Sequence, residues 1–356
     1  MTKKQKNRLP RSLRAVLIVL AAIAVAALLA VSVCYALYWH GRAAMLEHGG
    51  SLDTPNSLVD NVKDEGRLVT YKGEDYLYNE DVVSLLLLGV DKSYINTNAS
   101  HGKNGQADSL FVATLDTRTG AVKIIPLSRE IMADVNLYDA DGAYLGVEKL
   151  QLCLAYAYAA TPEEGCENVA RSVNRLLYGM PIDGCVAIDL EGLKALTSAV
   201  GGVTVSVLED VVVNYDPNNY VVLKKGQDVT LSSETVIPYI RQRGQDVDAN
   251  NRRMQRQQQF LNNFIHVASN KIKGNFTLLE KYYNAIKPYT VSDLTLSKIT
   301  YLASTYLIGG QRAIDYLPVS GDTTLGEEYV EFRPDETALY EAVLAAFYTK
   351  AEHGAS

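Results

Sequence analysis

The chain has 356 residues, of which 47% are hydrophobic, and a formal net charge of −7. Its first fourteen residues carry six positive charges and no acid, so the remaining residues carry −13. An acidic surface of this kind argues against nucleic acid as a partner and against binding to anionic lipid through bulk charge. The basic start of the chain needs a separate explanation.

Ala15–Trp39 is a run of 25 residues without a charged side chain. As a helix it would measure about 37 Å, enough to cross a hydrocarbon core of about 30 Å. The basic flank predicts that residues 1–14 stay in the cytoplasm and that the rest of the chain is extracellular. A cleaved signal peptide is the alternative, but its apolar region is usually about 7–15 residues long and ends in small residues. We therefore expect residues 15–39 to be an uncleaved, single-pass transmembrane helix in the cell membrane.

The four cysteines are too few and too irregularly spaced for a disulfide framework or a zinc site. Cys34 lies in the expected anchor, which leaves Cys153, Cys166 and Cys185 in the exported part. We expect these three as buried thiols. One bridge, between Cys153 and Cys166, is the alternative.

Residues 40–80 are polar and show no sustained period, so we expect an extracellular stalk or irregular lead-in. Residues 81–350 contain no internal repeat and fit one large domain better than two. Apolar, β-rich runs alternate there with helical patterns, which predicts an α/β fold, an α-β-α sandwich with a central mixed sheet. The predicted strands are Val82–Val90, Leu110–Leu115, Val122–Leu127, Val186–Ile188 and Val203–Val207, and the predicted helices are Leu150–Ala160, Cys166–Leu177, Leu190–Val200, Asn250–Asn270 and Glu336–Tyr348.

Two acids and an arginine are predicted to meet at one edge of this sheet. Asp91 ends the first buried strand, and Asp108 opens the next. If a hairpin turns at residues 117–120, Asp108 and Arg129 are equally far from the turn and reach the same edge. Asp91 joins them if its strand is antiparallel to its neighbour. Each acid alone is more typical of a turn or cap than of a metal site, and their convergence is what indicates function.

The segment from Arg241 to Gln257 carries five arginines within sixteen residues and no lysine. The planar fork of arginine matches phosphate, whereas lysine acts as a point charge. A solvated, salt-bridged helix face is the ordinary alternative. Two patterns argue against a solvated helix face. The first is that Arg253, Arg256 and Gln257 share the helical stripe of the apolar residues that follow them. Arg241 and Arg243 share one side of an extended segment, so we predict an anion site that holds two phosphates.

Several stretches occur together in an order that is specific as a set, although no single one is decisive. They are Leu86–Asp91, Ala107–Asp116, Ile125–Glu130, Lys149–Tyr158, Tyr178–Asp183, Ala199–Val205 and Arg241–Gln258. In this order, after a short basic tail and one span, the chain resembles the LytR-CpsA-Psr family of cell-wall glycopolymer ligases. The resemblance covers about residues 85–263.

The resemblance implies an α-β-α catalytic domain with a long apolar tunnel for the polyprenyl tail of an undecaprenyl-pyrophosphate-linked glycopolymer. It also implies Mg²⁺-assisted transfer of the phosphoglycosyl group to a peptidoglycan hydroxyl, as in the attachment of teichoic acid or capsule. A membrane anchor would hold such an enzyme near the leaflet in which its lipid-linked donor lies.

By motif, Asp91 and Asp108 resemble the acids around the metal, and Asp108 or a nearby acid would assist the incoming hydroxyl. The expected catalytic residues are Asp108, Arg129 and Arg243. The residues that resemble the pyrophosphate-binding set are Arg129, Arg241, Arg243, Arg253, Arg256 and Gln257.

The chain departs from the family pattern at two places. The family often has Pro-Arg-Asp where this chain has Ser128, Arg129 and Glu130. A family-like Asp-Phe-Gly-Arg is replaced by the segment 248–253. Either Asp246 or Asp248 is then the equivalent acid, and either Arg252 or Arg253 points inward.

Two other functions use the same residues. A lipid-pyrophosphate hydrolase would let water replace the sugar hydroxyl, and only analysis of the products separates it from a ligase. A non-catalytic binder or regulator of envelope polymers belongs to a different class. The basic tail of about fourteen residues is too short to fold as a DNA-binding module, which argues against direct transcriptional control. The sequence indicates neither which glycopolymer is carried nor the oligomeric state.

Overall fold

The computed structural model describes residues 32–45, 58, 60–95, 105–139, 141–216, 219–242, 244, 246, 248–326 and 329–351. The expected anchor at 15–39 therefore falls mostly outside the described residues, and Arg243 falls outside them too. Within the described ranges, no helix has both the length and the hydropathy that a membrane crossing requires.

The helices and strands follow one another through the described chain. The helices are α1 (32–45), α2 (Pro162–Leu176), α3 (Leu190–Ala199), α4 (Val236–Arg241), α5 (Ala249–Gly274), α6 (Leu278–Ile286), α7 (Leu296–Ile308) and α8 (Glu336–Phe347). The strands are β1 (Asn61–Lys63), β2 (Leu68–Tyr71), β3 (Glu74–Tyr78), β4 (Val82–Val90), β5 (Ala107–Asp116), β6 (Val122–Leu127), β7 (Met132–Tyr138), β8 (Tyr144–Gln151), β9 (Gly184–Ile188), β10 (Val203–Ser206), β11 (Val211–Asp216), β12 (Asn219–Leu223), β13 (Asp228–Leu231), β14 (Thr290–Ser292), β15 (Asp315–Tyr316), β16 (Gly321–Leu325), β17 (Val330–Pro334) and β18 (Tyr348–Lys350).

A six-stranded sheet in the order β14-β9-β4-β5-β6-β15 forms the centre of the molecule. The strand β4 runs parallel to β9 and antiparallel to β5, and β5 runs antiparallel to β6. The sheet is therefore mixed, as the sequence predicts. It also confirms the predicted hairpin, since Leu110 pairs with Leu127 and Leu115 with Val122.

Alternation along β4 divides the sheet between two layers of helices. Leu86 and Leu88 are buried in a core with α2, α8 and the 3₁₀ helix Leu152–Tyr156. Leu85 and Leu87 point the other way, toward a cavity walled by α3, α5, α6 and α7. Successive strand residues face opposite sides of a sheet, so a continuous apolar run is what a strand covered on both faces needs. The α-β-α sandwich is confirmed.

Capping residues fix where the surrounding helices begin. Thr161 starts α2 with a reciprocal capping box to Glu164, and Pro162 occupies the first turn. Asp189 starts α3 by accepting a hydrogen bond from the Gly192 N–H at 2.7 Å. A side chain that accepts from the first helical N–H groups contributes about 1 kcal/mol to helix stability.

The four-stranded sheet β1-β2-β3-β18 joins strands from the beginning and the end of the domain's sequence. Val69 and Tyr71 of β2 are buried in the same core as α8, and the Tyr71 ring contacts the Tyr340 ring edge-on. Residues 61–78 were expected to belong to an irregular lead-in, and the structure corrects this. Only β2 buries every second residue, and β1 and β3 bury none completely, so their polar composition gave little sign of strands.

A second apolar core borders the cavity and is built on β10, β11, α4, α5 and α6, and Phe260, Ile272 and Leu279 belong to both the core and the cavity wall. The antiparallel pairs β10–β13 and β11–β12 supply most of its valines. The α5 residues in this core are Phe260, Ala268 and Ile272, which follow the arginines along the helix.

The helix α1 packs closely against the N-terminal half of α7. A side chain at Gly41 would place its Cβ 2.1 Å from the Ser297 carbonyl oxygen, so only glycine permits the contact. Met45 is buried against Tyr301, and the Tyr38 and Tyr301 rings meet edge-on with centroids 5.1 Å apart. Tyr38 is the residue of the expected anchor that makes one of these contacts, and the others come from residues just after it.

Two further predictions about the chain can be compared with the structure. Residues 150–160 do not form the predicted α-helix, because β8 continues to Gln151 and a 3₁₀ helix follows. The helical spacing of its apolar residues arises from a strand that turns sharply into that 3₁₀ helix. Cys153, Cys166 and Cys185 are buried free thiols, as expected.

Candidate functional site

The strand ends of β4 and β5 bring two carboxylates to one edge of the sheet. The Asp91 N–H donates to the Gln106 carbonyl at 3.0 Å, just past the bulge at Val90. Asp108 lies two residues further, inside β5. Both acids line the mouth of the cavity. The predicted convergence of Asp91 and Asp108 is therefore present.

Arg129 completes this edge from the end of β6. It pairs with Asp108 through Nη1 and Oδ1, and its Nη2 donates to the Gln106 side-chain oxygen at 2.5 Å. The Arg129 and Asp108 side chains are only 14% and 18% exposed, so solvent screens the pair weakly. Residues 108 and 129 meet because the antiparallel pairing of β5 with β6 ends at Leu110 and Leu127, two residues from each of them.

Cys153 lies beside this ion pair. Its N–H donates to the Arg129 carbonyl at 3.1 Å. Burial lowers the pKa of Arg129, but the sulfur of Cys153 and the carboxylate of Asp108 outweigh burial and raise that pKa overall. Burial raises the pKa of Cys153 to about 11. The thiol is therefore neutral at physiological pH and is not poised as a nucleophile.

Two of the clustered arginines reach the acids from the other side of the cavity mouth. Arg241 is the last residue of α4, and its Nη2 contacts Asp91 Oδ2 at 2.8 Å. Arg253, in the second turn of α5, contacts Asp108 Oδ2 at 3.4 Å and donates to Asn250 Oδ1 at 2.7 Å. Both arginines line the cavity. The expectation of an extended segment at Arg241 is corrected, because this arginine ends a short helix.

Gln257 lines the cavity one turn beyond Arg253, as its helical phase predicts. Its side-chain nitrogen lies 3.5 Å from the Ile240 carbonyl oxygen. It therefore connects α5 with α4 at the cavity wall.

Arg256 is placed differently from the sequence expectation. Its side chain is completely buried and points away from the cavity. The Nε donates to the Tyr239 carbonyl at 2.7 Å, Nη2 donates to the Gln242 carbonyl, and Nη1 pairs with Glu209. Burial lowers the pKa of Arg256 to about 10. The structure thus assigns this arginine to the support of α4 and not to the cavity mouth.

The alternatives left open in the segment 246–253 are now distinguished by contact. Arg253 faces the cavity, whereas Arg252 contacts Asp246 at 2.6 Å and Glu209 at 3.2 Å. Asp246 therefore forms an ion pair with Arg252, on the side of α5 that faces away from the cavity. Asp248 immediately precedes α5.

The cavity has a volume of about 510 Å³ and runs from this charged mouth into an apolar interior. Phe260 and Phe264 stack on each other in its wall, with ring centroids 6.2 Å apart. The other lining residues, apart from the acids and arginines described above, include Leu85, Leu87, Val186, Ile188, Leu193, Leu196, Leu261, Ile265, Ile272, Leu279, Leu294, Ile299, Leu302, Ala303 and Leu307.

Three polar residues of this region escaped the sequence analysis. Gln106 and Asn250 bind the arginines at the mouth, and Asn250 also donates to the Ser128 hydroxyl at 2.9 Å. Glu209 contacts two arginines. Asn250 and Ser128 both lie where the chain departs from the family pattern. The two departures together could have indicated that these side chains contact each other.

The two acids at the mouth offer oxygen atoms of the kind that bind Mg²⁺. Mg²⁺ usually binds one or two protein carboxylates and takes its remaining oxygen atoms from phosphate and water. Asp91 and Asp108 meet this requirement at the mouth of the cavity, where arginines now contact them. In the described part of the chain, no larger group of acids, histidines or cysteines forms a metal site. The donor set fits Mg²⁺ that is shared with a phosphorylated ligand.

Comparison with known proteins identifies the family. Polyisoprenyl-teichoic acid–peptidoglycan teichoic acid transferase TagV of Bacillus subtilis strain 168 is 27% identical over 260 residues, which cover 72% of this chain and 61% of TagV. The transferase of the same description called TagU, from Bacillus licheniformis, is 24% identical over 73% of this chain and 76% of its own length. The crystal structure of B. subtilis TagV aligns with a TM-score of 0.60 at 25% identity, over 75% of this chain and 96% of that structure. The sequence profile of the LytR_cpsA_psr family matches residues 52–344, and the chain belongs to that family.

Proposed function

We propose that this protein transfers a glycopolymer of the teichoic acid or capsule type from an undecaprenyl-pyrophosphate carrier to peptidoglycan. One observation supports this most strongly. An apolar cavity ends at a mouth that holds two carboxylates, two arginines and a glutamine. A lipid pyrophosphate likewise consists of an apolar part and a charged part, because its hydrocarbon tail is joined to two phosphates.

The cavity suits a hydrocarbon tail in chemistry, and its depth accommodates the part of the tail next to the pyrophosphate. Leu85 and Asp91 both line it, and six strand residues span about 20 Å. Each CH₂ group removed from water there contributes about 0.8 kcal/mol. A tail of many such groups can therefore supply much of the binding energy, which leaves the polar mouth to orient the reacting phosphates.

The mouth suits a pyrophosphate because its positive groups are fixed before the ligand arrives. Arg253 is 4% exposed and is held by Asn250 and Asp108. Preorganised donors of this kind stabilise charge without reorganising during the reaction. We expect Arg129, Arg241, Arg243, Arg253 and Gln257 to bind the phosphates.

Asp91 and Asp108 are the proposed Mg²⁺ ligands. Bound Mg²⁺ would neutralise phosphate charge and so favour attack by a hydroxyl and departure of polyprenyl phosphate. We propose that Asp108 also directs the incoming hydroxyl, since it lies within the ring of arginines at the mouth.

The relatives named as teichoic acid transferases support the choice of donor and acceptor. Because the matched region covers only 61% of TagV, its complete activity is a proposal for this chain. We further propose that residues 15–39 anchor the protein in the cell membrane, with residues 1–14 in the cytoplasm and the domain outside. That placement would bring the cavity close to the membrane-borne donor.

The decisive experiment supplies the purified full-length protein with a defined lipid-pyrophosphate-linked glycan, peptidoglycan oligomers and Mg²⁺. The expected products are a phosphodiester-linked glycan on peptidoglycan and free polyprenyl phosphate. Release of phosphorylated glycan into water, without transfer, would identify a hydrolase. Donor binding without any product would favour a non-catalytic binder or regulator.

A further inference from the structure

Glu209 lies in the short segment between β10 and β11, outside the cavity and its mouth. Its two oxygen atoms contact two different arginines of α5. Oε1 pairs with Arg256 Nη1, and Oε2 lies 3.2 Å from Arg252 Nε. A single carboxylate therefore balances two neighbouring guanidinium groups on successive turns of one helix.

The first of these arginines holds the C-terminal end of α4. Arg256 donates to the carbonyl oxygens of Tyr239 and Gln242, the residues on either side of Ile240 and Arg241. The last carbonyls of a helix lack partners within the helix, and a cation there is favoured by the helix dipole. Arg256 thus fixes the backbone from which Arg241 reaches the cavity mouth.

The second arginine holds the chain just before α5. Arg252 binds both oxygen atoms of Asp246, at 3.0 and 2.6 Å. Gln242 is tied in addition to β11, because its side chain accepts from the Val212 N–H at 2.6 Å and donates to the Asp210 carbonyl at 2.9 Å. Both ends of the segment 242–246 are therefore held by contacts that lead back to residues 209–212.

Glu209 is the shared counter-ion in this arrangement. A fully buried guanidinium without a carboxylate is costly, and breaking one partner of a buried ion pair disturbs the other. Loss of the Glu209 charge would leave Arg256 buried without its acid and would release one contact of Arg252. Both held ends of the segment would loosen together.

We propose that Glu209 is a positioning residue that, through Arg256 and Arg252, fixes the end of α4 and the start of α5, and so holds Arg241 in place for the pyrophosphate. The proposal rests on the proposed function for its kinetic consequence. Its structural consequence can be measured in the ligand-free protein. A displacement of about 1 Å at a reacting group can cost about 10²-fold in rate.

The first test measures hydrogen exchange in full-length Glu209→Gln. This variant keeps the size of the side chain and removes its charge. Amide exchange should accelerate in peptides covering residues 236–250 and stay unchanged in peptides covering 260–272. The control is Glu331→Gln, which removes a half-buried carboxylate paired with Arg333 at 2.7 Å on β17. Unchanged exchange at 236–250 in Glu209→Gln would overturn the proposal.

The second test is a double-mutant cycle on the transfer rate. Glu209→Gln should lower kcat/KM by about 10²-fold, and Glu331→Gln should not lower it. If Glu209 acts through Arg241, adding Glu209→Gln to an Arg241→Ala protein should cost little more. A full additional loss in that background would overturn the proposal. If the unaltered protein shows no transfer, the proposed function fails, and the exchange experiment still decides the role of Glu209.

Discussion

Asp108 is the residue at which most contacts of the cavity mouth converge. It accepts from Arg129 and Arg253, and all three side chains are largely buried. We predict that Asp108→Asn lowers the transfer rate by 10²-fold or more, because the amide neither binds Mg²⁺ as a carboxylate does nor holds both guanidinium groups. It should also lower the free energy of unfolding by about 1–3 kcal/mol, since two donors lose their acceptor. Urea unfolding and transfer kinetics measure the two effects.

A matched control lies at the other end of the same strand. Asp116 accepts hydrogen bonds from Asn79, Arg118 and Thr119 around the β5–β6 turn. Asp116→Asn should destabilise the protein without a comparable loss of transfer rate. Equal losses of activity in the two variants would mean that Asp108 acts only through stability. Full activity of Asp108→Asn in the presence of a chelator would contradict a metal-binding role.

Cys153 allows a prediction about pH. Its pKa is raised to about 11 by burial, whereas an unfolded cysteine has a pKa of about 8.5. Folding therefore favours the protonated thiol. This stabilising contribution is complete below about pH 8.5 and is lost as the pH rises toward 11.

Iodoacetamide should accordingly leave Cys153 unmodified in the folded protein at pH 8 and modify it readily in urea. Mass spectrometry of the peptide containing Cys153 measures both. Fast labelling of the folded protein at pH 8 would show that the thiol is accessible and ionised.

At the level of the elements, α7 offers the clearest test of the lipid cavity. Leu302 lines the cavity and packs against the same apolar cluster as Leu85, which is the cavity-lining residue of β4 farthest from the mouth. We predict that Leu302→Trp blocks part of the tail space. Excluding even two CH₂ groups costs about 1.6 kcal/mol, roughly tenfold in affinity. Transfer from a donor with a full-length polyprenyl tail should fall by at least that factor.

The control is Ile308→Trp, on the same helix at a side chain that is 80% exposed. Ile308→Trp should leave transfer unchanged, both from the donor with a full-length tail and from a donor with a short tail. A donor with a short tail should be used normally by Leu302→Trp, because its tail does not reach that depth. Equal loss with short and long donors would contradict a tail site in this cavity.

The elements also show why some features could be predicted and others could not. The meeting of Asp108 and Arg129 follows from counting residues on either side of one turn, because strand pairing is regular. Arg256 could not be placed in this way. Helical phase puts it within about 60° of Arg253, but its partners are carbonyls of α4, a helix of six residues that the sequence pattern did not reveal.

The same limit applies to contacts between distant segments. Glu209 sits between two short strands and belongs to no motif, so only the folded chain brings it to Arg252 and Arg256. The mixed sheet and the two helical layers were predictable because burial imposes a period on the sequence. Salt bridges impose no period, and α1 could not be foreseen as a packed helix, since its contact depends on the absence of a side chain at Gly41.

For the whole molecule, the expected anchor leads to a prediction about topology. Residues 1–14 are basic and residues 15–39 are uncharged, so the domain should lie outside the cell. Protease added to protoplasts should degrade the domain, while the intact protein should sediment with membranes before digestion. Recovery of a soluble chain that begins near Gly41 would contradict the anchor and favour a cleaved signal peptide.

The tight contact between Gly41 and Ser297 limits how far the domain can move away from the membrane. A flexible tether would let the domain sample a broad volume, with a local donor concentration that falls as the tether lengthens. Here α1 is fixed to α7, which forms a wall of the cavity. If α1 continues into the bilayer, the cavity keeps one height and one tilt above the membrane. The protein then searches in two dimensions only, and we expect it to modify peptidoglycan strands in the layer nearest the membrane.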